Sequence, residues 1–209
     1  MPRPYTLLSL GDSYTIGEGV LPGKNFPSQT VQLLRSFGHR FRDPQVVAKT
    51  GWTARELLAA IELAALGEYY DFVTLLIGVN DQYRGEKVET YEPVFRALLG
   101  KALHFSAGMA NHVIVVSIPD WSTTPFAAAS GRDRKQISRE IEAYNKSNRR
   151  LANQYKVNYA DLKSGSKDNA GNRDLLAQDG LHPSEKEYAK WAAAIAQMIE
   201  ATLNKESKP

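Results

Sequence analysis

Apolar positions along the chain follow two alternating periods. Five short runs are almost uniformly apolar: YTLLSL (5–10), QVVAK (45–49), DFVTLLIG (71–78), HVIVVSIP (112–119) and VNYADL (157–162). Runs of this length and β-branched content predict buried strands. Between them, apolar residues recur at helical spacing. That pattern predicts helices over Phe26–Ser36, from Thr53 to about Leu66, from Glu89 to about Ala107, over Asp133–Tyr155 and over Ser184–Leu203. Thr53 with Glu56, and Ser184 with Glu187, have capping-box spacing at two of the helix starts. The last helix carries Tyr188, Trp191, Ala192, Ile195, Ile199 and Leu203 on one stripe.

Strands that alternate with helices imply an α/β three-layer sandwich around a five-stranded parallel sheet. The expected strand order is 2-1-3-4-5, the flavodoxin-like doubly wound order. Ligands of such sheets sit beyond the carboxyl ends of the strands. With 209 residues, 43% of them hydrophobic, one domain over residues 1–209 is expected. No internal repeat or low-complexity linker interrupts it, and the polar tail NKESKP is expected to fray.

Charge narrows the range of partners. The chain has 26 basic and 23 acidic residues, a net charge of +3. Arg149 and Arg150 are adjacent, but no block of like charges forms, so a solvated surface is expected and no nucleic-acid partner. The chain has no cysteine, which excludes disulfides, thiolate metal sites and a cysteine nucleophile. The start MPRPYTLLSL lacks the apolar region of a signal peptide, and VIVV (113–116) is far too short to span a bilayer. A cytoplasmic monomer with no membrane insertion is expected.

The loops after the strands hold the candidate chemistry. They read GDSYTIGEG, KTGWTARE, GVNDQYRG, PDWSTTPF and, after an irregular stretch, QDGLHPSE. Together they supply Ser13, Gly51, Asn80, Asp179 and His182. A serine hydroxyl is a poor nucleophile unless a base takes its proton. Of the four histidines only His182 falls in such a loop; His39, His104 and His112 are read as surface or boundary residues. Asp179, three residues before His182, is spaced to meet the imidazole Nδ1–H and stabilise an imidazolium. Asp12 is expected to point away from Ser13, and Asp81 to bond backbone in its own loop. The Ser13 N–H, the Gly51 N–H and the Asn80 side-chain NH₂ are candidate donors to an oxyanion.

These residues resemble a known family. GDS at 11–13, Gly51 in TGWT, GVND at 78–81 and DGLHP at 179–183 are similar, in order and spacing, to the sequence blocks of the SGNH, or GDSL, hydrolases. The resemblance runs from the first strand to the last helix and is closest to lysophospholipase-like esterases. It implies a Ser13 nucleophile, an oxyanion hole of Ser13, Gly51 and Asn80, and a triad completed by Asp179 and His182. It also implies an esterase that needs no metal or cofactor. Its substrate would be a small-molecule or lipid ester: a short or medium acyl ester, a lysophospholipid or an acetylated sugar. The family's usual leucine after GDS is Tyr14 here, which points to a differently shaped pocket.

Each motif alone has a plainer reading. GDS is a frequent turn tripeptide, Gly51 a turn glycine, Asn80 a loop residue bonded to its own backbone, and DxxH a helix-start turn. Ser9, Ser13 and Thr15 with Gly11, Gly17 and Gly19 could instead cradle phosphate in a non-hydrolytic flavin- or nucleotide-binding module. That alternative lacks both GK[ST] and GxGxxG, and it leaves Asn80 and His182 without a role. Tyr14, Trp52, Tyr83, Trp121 and Phe126 are candidates for an apolar substrate wall, or for loop packing. Arg84 reads as a solvated surface arginine, or as a contact for an anionic group.

Overall fold

The structure is a computed structural model that describes residues 3–162 and 172–206. Five parallel strands form one sheet: β1 Leu7–Gly11, β2 Gln45–Ala48, β3 Phe72–Leu76, β4 Val113–Val116 and β5 Asn158–Ala160. Their order is β2-β1-β3-β4-β5, as the alternation of elements predicts. β1, β3 and β4 are buried at every position, while the edge strands β2 and β5 are mostly part-exposed. This explains the uninterrupted apolar runs: a parallel strand with helices on both faces has no solvent side on which to alternate.

The five long helices fall where the sequence predicts them. They are α2 Phe26–Ser36, α3 Ala54–Leu63, α5 Val88–Phe105, α7 Arg134–Gln154 and α8 Glu185–Glu206. α2 packs on α8, while α3, α5 and α7 pack side by side, so the helices form two layers around the sheet. Thr53 caps α3 in a full capping box with Glu56. At α8, Ser184 Oγ donates to the Asp174 carbonyl, while Glu187 accepts from Trp191 Nε1 and pairs with Lys190. α8 remains helical through Glu206, three residues into the tail expected to fray, whose remainder lies outside the described residues. Part of the irregular stretch after β5 also lies outside them.

Three short helices have no counterpart in the sequence pattern: α1 Ser13–Ile16, α4 Val79–Tyr83 and α6 Pro125–Ala129. All three lie just beyond strand ends on the carboxyl side of the sheet. The register brings those ends level, because Gly11 stands beside both Ala48 and Leu76, and Val116 beside Ala160. The exits are then fixed by buried polar ties. Asn145 of α7 bonds both the Ile118 N–H and the Ile118 carbonyl at 2.8 Å. Tyr91 of α5 donates to the Ile77 carbonyl at 3.0 Å.

The exit of β1 is the tightest of these corners. A Cβ on Gly11 would stand 2.1 Å from Thr15 Oγ1 and 2.5 Å from the Leu76 carbonyl oxygen. The second neighbour is backbone of the central strand and has little freedom to move. Gly11→Ala should therefore lower the unfolding free energy by about 2 kcal/mol or more. A denaturant midpoint equal to that of the parent protein would show that the corner relaxes.

Candidate active site

Beyond Gly11 the chain bends at Asp12, whose Oδ1 accepts the Tyr14 N–H at 3.0 Å and caps α1. Ser13 thus becomes the first helical residue, a position whose N–H has no partner within the helix. Ser13 is 4% exposed and lines a cleft of about 190 Å³.

The histidine comes from the far end of the chain. Asp179 Oδ1 accepts the N–H groups of Leu181 and His182 at 2.9 and 3.0 Å, which closes a tight turn. Its Oδ2 lies 2.6 Å from His182 Nδ1, and His182 Nε2 lies 2.9 Å from Ser13 Oγ. The tautomer that satisfies both contacts carries its proton on Nδ1, leaving Nε2 to accept from the serine hydroxyl. Burial works against the Asp179 charge, but the His182 ring and the two N–H donors outweigh it and hold its carboxyl below the ordinary value. The Tyr14 ring packs 5.2 Å from the imidazole and 6.2 Å from Trp191.

Gly51 and Asn80 reach the same cleft from the loops after β2 and β3. Gly51 has φ +84°, which favours glycine, and a Cβ there would meet nothing within 4 Å. The space beside it is open cleft. Asn80 Nδ2 donates one hydrogen to the Trp52 carbonyl at 2.9 Å. An amide nitrogen carries two hydrogens, so the other remains for a ligand. Among the described residues, the N–H groups of Ser13 and Gly51 make no hydrogen bond. The cleft therefore collects a hydroxyl, an acceptor nitrogen and three donor groups.

Its apolar walls are Tyr14, Val79, Tyr83, Trp121, Phe126 and Leu181. Tyr83, Trp121 and Phe126 form a cluster with ring centroids 5.6–6.3 Å apart. Of the aromatic residues singled out in the sequence, Trp52 alone is not among the lining residues. Its carbonyl holds Asn80, and its side chain packs half-buried on the core. Val79, Leu181 and Thr50 also line the cleft, and nothing in the sequence marks them.

Three other readings are corrected. Asp81 bonds the Ala54 N–H at the start of α3, at 3.0 and 3.2 Å, so it ties two loops together and does more than serve its own. His112 is buried, stacked on Phe72 at 4.5 Å and bonded to Asp71 and Glu206. Ser9 and Thr15, needed for a phosphate cradle, are fully buried, and Ser9 Oγ is bonded to Thr74. Among the described residues no group of three or more His, Asp or Glu could hold a metal ion. No described helix is long and apolar enough to cross a membrane.

A doubly wound sheet with these groups at its carboxyl edge has the SGNH hydrolase fold. The chain belongs to the GDSL-like lipase/acylhydrolase family, whose model matches residues 9–190, and it is a hydrolase acting on ester bonds. A lipase/acylhydrolase from Enterococcus faecalis is similar in structure, with TM-score 0.74, 20% identity and coverage of 95% of this chain and 96% of that one. TesA matches with TM-score 0.72 and 20% identity over 94% of this chain and 98% of its own. Axe2, an acetylxylan esterase from Geobacillus stearothermophilus, matches with TM-score 0.71 and 21% identity over 93% and 94%. No curated protein matches the chain.

Asp12 adds a pH dependence to this floor. It is fully buried, Oδ2 has no hydrogen-bond partner, and desolvation raises its pKa from 3.8 to about 8, opposed by the Tyr14 N–H and reinforced by Asp81. The folded state therefore binds one more proton than the unfolded state between these values, and stability falls as pH rises through that window. Asp12→Asn cannot ionise and should remove that step. Melting temperatures from pH ~5 to ~9 should fall less steeply in the variant than in the parent. Parallel curves would mean Asp12 is ionised in the fold.

Proposed function

We propose that the protein is a serine esterase in which Ser13, His182 and Asp179 act as a triad. The observation that carries this reading is the continuous chain from Asp179 Oδ2 through the imidazole to Ser13 Oγ, at 2.6 and 2.9 Å. His182 Nε2 takes the hydroxyl proton as Ser13 Oγ attacks the ester carbonyl carbon. Asp179 stabilises the imidazolium that forms. The negative charge moves to the carbonyl oxygen, where the Ser13 N–H, the Gly51 N–H and Asn80 Nδ2 serve as donors. His182 then gives its proton to the departing alkoxide, which leaves as the alcohol. Water, deprotonated by the same nitrogen, cleaves the acyl-enzyme and restores Ser13.

The cleft supports a choice among substrates. At about 190 Å³, with walls of aromatic and aliphatic side chains, it suits the apolar part of a short or medium acyl ester. The lysophospholipid and acetylated-sugar esters handled by this kind of machinery remain within the proposal as arms of the test. A chain-length series of p-nitrophenyl esters, run beside an acetylated sugar, should give the highest kcat/KM for short or medium acyl groups. A monotonic rise toward long chains would point to a lipid substrate.

Two variants test the mechanism. Ser13→Ala should abolish hydrolysis while leaving the circular dichroism spectrum unchanged; retained turnover would sink the mechanism. Asn80→Ala should lower kcat by about 10²–10³ with little change in KM, because its donor acts on charge that develops in the transition state. A change in KM alone would make Asn80 a substrate contact.

A further inference from the structure

We infer that Arg84 is a positioning residue that locks the turn presenting the Gly51 N–H. The inference rests on the proposed role of Gly51 as an oxyanion donor. Lys49–Trp52 is a β-turn, closed by the Trp52 N–H on the Lys49 carbonyl at 3.2 Å. Gly51, its third residue, has positive φ, and Thr50 does not, which defines a type II turn. The central peptide of the turn is Thr50–Gly51. Its N–H is the donor in question, and its distance from Ser13 and Asn80 is set by where the turn is held.

No neighbour stands within 4 Å of where a Gly51 side chain would begin. Polar ties hold the second half of the turn against α4. Arg84 Nη2 donates to the Gly51 carbonyl at 2.7 Å, and Asn80 Nδ2 donates to the next carbonyl, that of Trp52. Arg84 and Asn80 are joined through α4: the Arg84 N–H bonds the Asn80 carbonyl at 3.0 Å as the helix cap. One helical turn thus grips two consecutive carbonyls of the facing loop. The guanidinium is fixed on its other side by Glu56, at 3.3 Å from Nη1. Glu56 is itself held by the Thr53 N–H and hydroxyl, each at 2.8 Å. A planar fork can serve Gly51 and Glu56 at once, whereas a lysine ammonium is a single point of charge. Arg84 is therefore turned toward the loop behind the cleft, and it is absent from the cleft's lining.

Arg84→Met keeps the aliphatic stem and removes the donors. With a neutral p-nitrophenyl ester, kcat should fall by about tenfold while KM stays within about twofold, the signature of a misplaced transition-state donor. Affinity for an alkyl boronic acid, which forms a tetrahedral anion on a serine, should fall by the same factor. Arg84→Lys should not restore turnover, and millimolar guanidinium should partly restore Arg84→Ala. Unchanged kcat in Arg84→Met would overturn the inference. A higher KM at constant kcat would overturn it too, making Arg84 a substrate contact. If Arg84→Met does not fold, full activity in Arg84→Lys overturns it on its own. Ser13→Ala separates the two readings. Activity surviving there defeats the serine mechanism, whereas an inactive Ser13→Ala beside a normal Arg84→Met defeats only the role of Arg84.

Discussion

Backbone N–H groups at the carboxyl edge of the sheet must find partners where the strands stop, and aspartates supply them. Asp12 accepts from Tyr14, Asp81 from Ala54, Asp120 from Ser122, and Asp179 from both Leu181 and His182. Each of these side chains fixes the course of one loop, and Asp81 fixes a second one across from it. These bonds satisfy the N–H groups that support the site, while among the described residues those of Ser13 and Gly51, two lining residues of the cleft, make no hydrogen bond. The same edge that would cost stability through unmatched donors is where the proposed mechanism puts its oxyanion.

The aspartates do not carry equal electrostatic strain. Asp179 has two N–H donors, an imidazole and a side chain 39% exposed to solvent, and its pKa is lowered. Asp12 has one N–H donor and no solvent, and its pKa is raised. Contact number and solvation account for the difference, although both residues flank Ser13 and His182. A charge held on Asp179 favours an imidazolium at His182. A charge on Asp12, buried without a counter-ion, would cost stability with no such return.

Most of the fold is legible in the sequence because its central strands are buried on both sides and its long helices bury one stripe. Both patterns are local. Helices α1, α4 and α6 are four or five residues long, too short to show a period, and α1 and α4 are the ones that hold Ser13 and Asn80. The candidate site is legible by a different route. Ser13, Gly51, Asn80, Asp179 and His182 are the chemically apt residues of loops that the strand order brings to one edge, and the structure brings all five together. What the sequence hides are the ties between loops. Asp81 and Ala54 are 27 residues apart, and Arg84 and Gly51 are 33, so neither pair has a local signature. Trp52 illustrates the converse. An aromatic beside a candidate donor glycine invites a role in binding, yet its ring packs on the core, and what meets Asn80 is its carbonyl, which any residue has.

The proposed mechanism asks for one particular residue type at position 80. The Asn80 nitrogen must donate to the Trp52 carbonyl and still have a hydrogen for the cleft. A serine has one hydrogen and could meet only one demand. An aspartate accepts, and its charge would oppose the oxyanion. A glutamine adds a methylene and a rotor, so its second hydrogen would no longer be fixed in direction. The short neutral amide alone offers two hydrogens in a plane set by one anchoring bond. Because that anchor is the carbonyl following Gly51, the same contact that orients Asn80 also steadies its fellow donor. In the proposed mechanism this contact would preorganise the two donors together before substrate arrives.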